Sequence, residues 1–224
     1  MEKILKKAGL TSYQLKWIAI ITMTVDHIGA VLFPQELVLR MIGRLAFPIF
    51  CFLLTEGFCH THNVRLYMLR LGVFALISEV PYDLTFHGNI LDFERQNIFF
   101  TLFLGIVLLY LLEKSGQWPV KAAEILLVMW LAEVLRVDYG YEGILLISLF
   151  YLFREHLCLK AAGGIFWNFL WENRLQLYGA LAVIPVMLYN GERGRKMQYF
   201  FYIFYPAHLL ILHLADTCMA ASVF

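Results

Sequence analysis

Polar positions along this chain are spaced so that long apolar stretches stand between them. Runs rich in Leu, Ile, Val, Phe and Trp cover residues 14–33, 41–59, 66–86, 98–113, 119–136, 141–156, 158–172, 175–190 and 198–217, joined by short linkers. A helix rises about 1.5 Å per residue, so ~20 mostly apolar residues cross the hydrocarbon layer of a bilayer. The pattern predicts an all-α, polytopic transmembrane helical bundle of about nine spans. The count becomes eight if residues 158–172 are re-entrant, because that run is short and holds Lys160 and the Gly163-Gly164 pair. With no long linker and no internal repeat, residues 1–224 read as a single integral membrane domain. No pair of broken helices occupies matched halves, which argues against an inverted-repeat transporter.

Composition sharpens this picture. The chain is 61% hydrophobic and 16% charged, with a mean hydropathy of +0.69, whereas a soluble domain carries about 45–50% apolar and about 25% charged residues. A lipid-facing surface accommodates the surplus, since apolar side chains then point outward as well as inward. The net charge of +1 and the lack of a basic stripe exclude a nucleic-acid partner. Cys51, Cys59, Cys158 and Cys218 lie in or beside apolar runs without metal-ligand spacing. They are expected to be buried thiols rather than a disulfide framework.

Positive charge sets the expected orientation. Lys3, Lys6, Lys7 and Lys16 place the N-terminus in the cytoplasm, and Glu2 with these lysines forms a charged start unlike a cleaved signal peptide. Arg65 and Arg70, Lys114 and Lys121, and Arg154 then fall inside. The basic stretch NGERGRK, with Arg193, Arg195 and Lys196, falls inside only if residues 158–172 cross. That favours nine spans and an outside C-terminus. Such a loop suits lipid headgroups or, more sharply, phosphate.

Ionisable residues at membrane depth are costly, about 2.5–3.5 kcal/mol each on insertion scales, so a chain that keeps several gains from them. Asp26 and His27 lie past the middle of the first span, Arg44 near the outer end of the second, and Glu79 and Asp83 near the outer end of the third. The i, i+4 spacing of the two carboxylates puts them on one face, with Pro81 between them to bend it. Gln96 and Asn97 open the fourth span. These groups are expected in one layer in the outer half of the bundle, with His208 approaching from the last span. A salt-bridge network that only locks the bundle would explain the carboxylates and Arg44. It explains His27 less well, since a histidine beside carboxylates is the usual general base. Lys16 precedes His27 by eleven residues, ~16 Å along a helix. His60 and His62 read as exposed loop residues, and Glu124 and Glu133 as structural, so no metal is expected.

The segments TVDHIG (24–29), GRLAFPIF (43–50), SEVPYD (78–83), Gln96-Asn97, DYGYEG (138–143), YNGERG (189–194) and residues 199–208 together resemble the TraX family, whose namesake acetylates the N-terminus of conjugative F-pilin. The likeness runs over nearly the whole chain. The family in turn is similar to the wider membrane acyltransferases of sugars and polysaccharides. Those carry a basic residue about ten positions before an essential histidine. Lys16 and His27 are its counterparts here, with Lys in place of the commoner Arg. The resemblance implies a bacterial inner (cytoplasmic) membrane protein that takes acetyl-CoA as donor and uses His27 as the catalytic base. It implies a cofactor-contacting Tyr-x-x-His pair, Tyr205 and His208.

Combined with the layer of charges, this gives a set of expected roles. Lys16, Arg193, Arg195 and Lys196 meet the phosphates of acetyl-CoA. Glu79 or Asp83 orients His27, because Asp26, one residue away, points ~100° around the helix. Asp26 pairs with Arg44, and Arg44 or Asn97 stabilises the oxyanion. The acceptor is a peptide N-terminus, an amino sugar or a glycan hydroxyl. The competing readings are a proton-coupled transporter or flippase using the same charged layer, and a structural scaffold.

Overall fold

The computed structural model describes residues 9–171 and 173–221, so the basic residues Lys3, Lys6 and Lys7, with Glu2, lie outside the described residues. Among the described residues the named elements are all helical: α1 (Ser12–Val31), α2 (Leu37–Gly43), α3 (Ala46–His60), α4 (Val64–Phe86), α5 (Ile98–Lys114), α6 (Trp118–Val134), α7 (Gly140–Leu152), α8 (Leu157–Leu170), a 3-10 segment (Arg174–Ala182) running into α9 (Val183–Met187), and α10 (Gln198–Ala221). Each expected apolar run contains a helix. Two stretches, Leu37–His60 and Gln198–Ala221, are long and apolar enough to cross a membrane by length and composition. The helices in the sixth and seventh runs have 13 and 14 residues.

Local chemistry explains the boundaries. Thr11 and Gln14 form a reciprocal capping box at the start of α1, the Thr11 N–H donating to Gln14 Oε1 at 2.8 Å. Asn63 and Asn97 cap α4 and α5 by accepting from the amides of Leu66 and Phe99. Glu133, expected to be structural, accepts the Tyr141 amide in the first turn of α7. The second run is two helices, broken at Arg44-Leu45. Pro48 fits the start of the second: it has no N–H to donate back to the Arg44 carbonyl, and it stands in the first turn of α3, where no such bond is needed.

By packing, the chain divides into two compact units. The first holds the chain up to Leu53 and from His156 onward: α1, α2, the first half of α3, and α8 to α10. Within it α10 lies along α1 in the same direction. Phe201 meets Tyr13 and Trp17, and further along both helices His208 meets His27. The 3-10 segment packs on α2, with Gly179 against the Arg44 carbonyl, and its continuation ends at Tyr189, whose hydroxyl accepts from Ser12 Oγ. This stretch therefore runs opposite to α1. The second unit, Leu54–Glu155, packs α4 on α5 and α5 on both α6 and α7.

Large apolar side chains are exposed along whole helix faces. On α4 the stripe is Leu66, Leu69, Val73, Leu76, Ile77 and Val80, a period of three to four that returns to one side of the helix. Trp118, Leu126, Leu127 and Trp130 do the same on α6. One expectation fails here: of the four free thiols only Cys51 is buried, whereas Cys59, Cys158 and Cys218 are exposed. They sit at helix ends and outer faces, where an apolar run does not imply burial.

Candidate functional site

In the first unit, α1 carries the two neighbouring residues Asp26 and His27 on different faces. Asp26 is buried and grips two guanidinium groups. Arg44 Nη2 donates to both carboxylate oxygens, at 2.5 and 2.6 Å, and Arg40 Nη1 donates to Oδ2 at 2.8 Å. The expected Asp26–Arg44 pair is thus present. Arg40 is an addition that sequence reasoning missed, although it stands one turn before Arg44 and so shares its helix face. Two cations around one buried carboxylate leave net positive charge beside His27.

Close approach makes the cluster possible. Gly43 lies so near Asp26 that any Cβ there would overlap the carboxylate. Gly43→Val is expected to destabilise the protein by about 1–3 kcal/mol through overpacking, read as a lowered thermal midpoint in detergent. An unchanged midpoint would show that the ion cluster can move aside freely.

His27 Nδ1 lies 2.7 Å from Nε2 of His208. The two ring planes are parallel within 6°, with centroids 5.0 Å apart. The centroid separation exceeds the N···N distance by about one ring width, so the rings meet edge to edge in one plane rather than face to face. His208 Nδ1 in turn lies 2.9 Å from the Phe204 carbonyl. Tyr205, buried, leans its ring against both histidines. A carboxylate was expected to orient His27. At Nδ1 that place is held by an imidazole.

At the other end of α1 the stretch YNGERG is pinned to the first turn. The amides of Ser12 and Tyr13 donate to the carbonyls of Glu192 and Arg193, at 2.8 and 3.1 Å. Gly194, at φ +70°, passes so close to Tyr13 and Thr11 that a side chain there would collide. Arg193 and Lys196 line an open cavity of about 500 Å³ with Met197, Gln198, Tyr199 and Phe200. Lys16 lies on the same end of α1, its ammonium 5.5 Å from the Phe201 ring. Arg195 is exposed nearby in sequence and does not line the cavity.

The remaining expected residues belong to the second unit. Glu79 and Asp83 are both buried on one side of α4. Glu79 Oε2 accepts from the Asn97 side-chain amide and from the Asn97 backbone N–H. The Asn97 amide also donates to the Ala75 carbonyl, while its oxygen caps α5. Both its N–H bonds are engaged, so Asn97 serves to hold Glu79, and the oxyanion role expected of it has no free donor. Asp83 accepts the Asp92 amide at 2.8 Å and lies 3.7 Å from His87, which is 3.6 Å from Asp92. His87 and Asp92 were not singled out in sequence, because both lie around the turn after α4. The hydrogen bonds of these polar groups are made within each unit: Asp26 with Arg40 and Arg44 in the first, Glu79 with Asn97 and Asp83 with Asp92 in the second.

A family model described as TraX protein matches residues 11–215. The chain is 30% identical over 240 residues to a probable fimbrial assembly protein FimC, serogroup H1, of Dichelobacter nodosus, covering 92% of this chain and 96% of that one. It is 26% identical over 174 residues to the protein TraX of Escherichia coli (strain K12), covering 77% of this chain and 64% of that protein. An uncharacterized protein, RP591, of Rickettsia prowazekii (strain Madrid E) is 30% identical over 139 residues, 58% of this chain and 51% of its own length. No solved structure matches.

Proposed function

The chain belongs to the TraX family, and from that premise we propose that it is a membrane-embedded acyltransferase, moving an acetyl group from cytoplasmic acetyl-CoA to an amine or hydroxyl acceptor with His27 as general base. One observation carries the reading. The helix α1 carries Lys16 at one end, where the cavity-lining segment with Arg193 and Lys196 is pinned to its first turn, and eleven residues after Lys16 it carries His27 beside a net-positive ion cluster. Eleven residues of helix span ~16 Å, a separation suited to a thin pantetheine arm between its phosphates and its thioester.

The membrane part of the proposal rests on the exposed apolar stripes, which a water-soluble surface of this extent would not keep. They face lipid, whereas the backbone satisfies itself within each helix. The parallel course of α1 and α10 supports an odd number of crossings up to the last helix. The opposite course of the stretch ending at Tyr189 fits residues 158–172 crossing the bilayer. Nine spans, with the N-terminus and the loop at Arg193 on the cytoplasmic side, meet both conditions and the charge rule.

In this scheme each group has work that its geometry permits. Arg193, Lys196 and Lys16 bind phosphate oxygens through charge-assisted hydrogen bonds. Acetyl-CoA supplies an activated acyl carbon whose thiolate leaves. His27 takes the proton of the acceptor as that acceptor attacks. Arg40 and Arg44, fixed by Asp26, provide a preorganised positive field for the oxygen that gains charge. Glu79 and Asp83, with Asn97 holding Glu79, form a buried acidic set within the second unit. The fimbrial and TraX relatives make a subunit peptide N-terminus the first acceptor to assay, ahead of amino sugars and glycan hydroxyls.

The test uses the basic end. The double variant Arg193→Glu/Lys196→Glu is expected to raise KM for acetyl-CoA about 10- to 100-fold at nearly unchanged kcat, since charge-assisted bonds contribute ~1.5–3 kcal/mol. The readout is transfer of radiolabelled acetyl groups into membrane-bound acceptors. Solute flux across vesicles without CoA release would point to a transporter and defeat the proposal.

A further inference from the structure

The bond between His27 and His208 has a direction, and the backbone sets it. His208 Nδ1 faces the Phe204 carbonyl at 2.9 Å. A carbonyl oxygen can only accept, so Nδ1 of His208 carries a proton. In the neutral ring the other nitrogen, Nε2, then holds a lone pair. The atom facing that lone pair is His27 Nδ1, 2.7 Å away, and it must be the donor. The edge-to-edge, coplanar arrangement of the two rings is what an in-plane N–H···N bond requires. With its proton on Nδ1, neutral His27 has its lone pair on Nε2.

We infer that His208 is a positioning residue that fixes His27 in the Nδ1-protonated tautomer and leaves Nε2 as the proton-accepting atom. This goes beyond the acetyl-CoA contact expected of His208 and deepens the reading of His27 as general base, on which its kinetic consequence rests. The order is a relay of three: the Phe204 carbonyl accepts from His208, His208 accepts from His27, and His27 accepts from the substrate. When Nε2 takes the proton of an acceptor amine or hydroxyl, the Nδ1–H···Nε2 bond becomes charge-assisted and stabilises the imidazolium. His208 thus does for His27 what a carboxylate does in the common arrangement, without placing a further negative charge in the bundle. The surroundings hold the His208 ring in that pose. The Phe204 ring lies parallel to it at 5.0 Å and the Tyr205 ring meets it edge-on at 5.5 Å. Because α1 and α10 run side by side, the pair joins residues 181 positions apart in the chain.

Two variants separate this role from packing. In His208→Gln, the amide nitrogen can donate to the Phe204 carbonyl while the oxygen takes the place of Nε2 as acceptor. His208→Leu fills the space and accepts nothing. The first readout is the 15N spectrum of histidine-labelled protein in liposomes, which reports the tautomer of His27 without any turnover. Nδ1–H is expected in the wild type and in His208→Gln, with a shift toward Nε2–H in His208→Leu. The second readout is acetyl transfer. His208→Leu is expected to lose about 10²- to 10⁴-fold in kcat, as when a base is left in the wrong tautomer, with KM for acetyl-CoA little changed. His208→Gln is expected to recover most of that loss. Nε2–H in wild-type His27 overturns the inference, as does a His208→Leu variant that raises KM alone. If the wild type transfers no acetyl group, the acyltransferase reading fails, while the spectrum still decides the tautomer.

Discussion

Replacing His27 by alanine is expected to lower kcat for acetyl transfer about 10²- to 10⁴-fold, a barrier increase of ~3–5 kcal/mol, the usual contribution of a general base. Binding of acetyl-CoA should persist, because the cationic groups proposed to meet its phosphates, Lys16, Arg193 and Lys196, stand at the other end of α1. The split is informative: kcat falls and KM stays, the pattern of an interaction made only in the transition state. His27→Gln should be no better than alanine. It restores a hydrogen-bonding group next to His208 but no atom that can hold a proton near neutral pH. Steady-state kinetics on protein reconstituted in liposomes checks both variants.

Asp26→Asn is the substitution expected to damage the fold most. Asp26 and Arg44 are both less than a tenth exposed, so removing the carboxylate charge leaves a buried guanidinium uncompensated. Breaking one side of a buried ion pair costs about 3–5 kcal/mol. Arg40 is more exposed, at 26% of its side chain, and can turn toward solvent or headgroups, so Arg44 carries most of the penalty. The double substitution Asp26→Leu/Arg44→Met should recover part of the lost stability, since paired buried charges can often be exchanged for apolar groups together. It should not recover activity, because Arg44 and the carboxylate that fixes Arg40 are both gone, so the remaining charge beside His27 is no longer held in place. Thermal unfolding in detergent, measured for Asp26→Leu, Arg44→Met and the double beside Asp26→Asn, tests this. Strict additivity of the single effects would show that the pair is not coupled.

Much of the fold could be read from the pattern of apolar runs, because helices bounded by short polar linkers leave few other solutions. The break inside residues 41–59 was less visible, although Pro48 is its physical signal: it removes the donor for the Arg44 carbonyl. The Asp26–Arg44 pair followed from charge balance at depth, but Arg40 escaped notice because the helix Leu37–Gly43 begins before the expected span 41–59, which left Arg40 in the linker. The approach of His208 from the last span was expected, but its place at His27 Nδ1 was not legible. Nothing in local periodicity tells which distant helix lies beside α1, or at what register. The carboxylate expected beside His27 Nδ1 was a reasonable guess from chemistry alone. The packing of α10 along α1 put an imidazole there instead. The link between NGERGRK and the first turn of α1 was likewise tertiary. Its one local sign is Gly194, whose positive φ lets the backbone pass beside Tyr13.

The most direct measurement follows radiolabelled acetyl-CoA added to purified protein in liposomes, with binding and CoA release recorded for the wild type and for His27→Ala. The account requires both proteins to bind acetyl-CoA with similar affinity, and only the wild type to release CoA at a catalytic rate in the presence of an amine or hydroxyl acceptor. A wild type that neither binds nor consumes acetyl-CoA, or a His27→Ala variant that releases CoA as fast as the wild type, would contradict it.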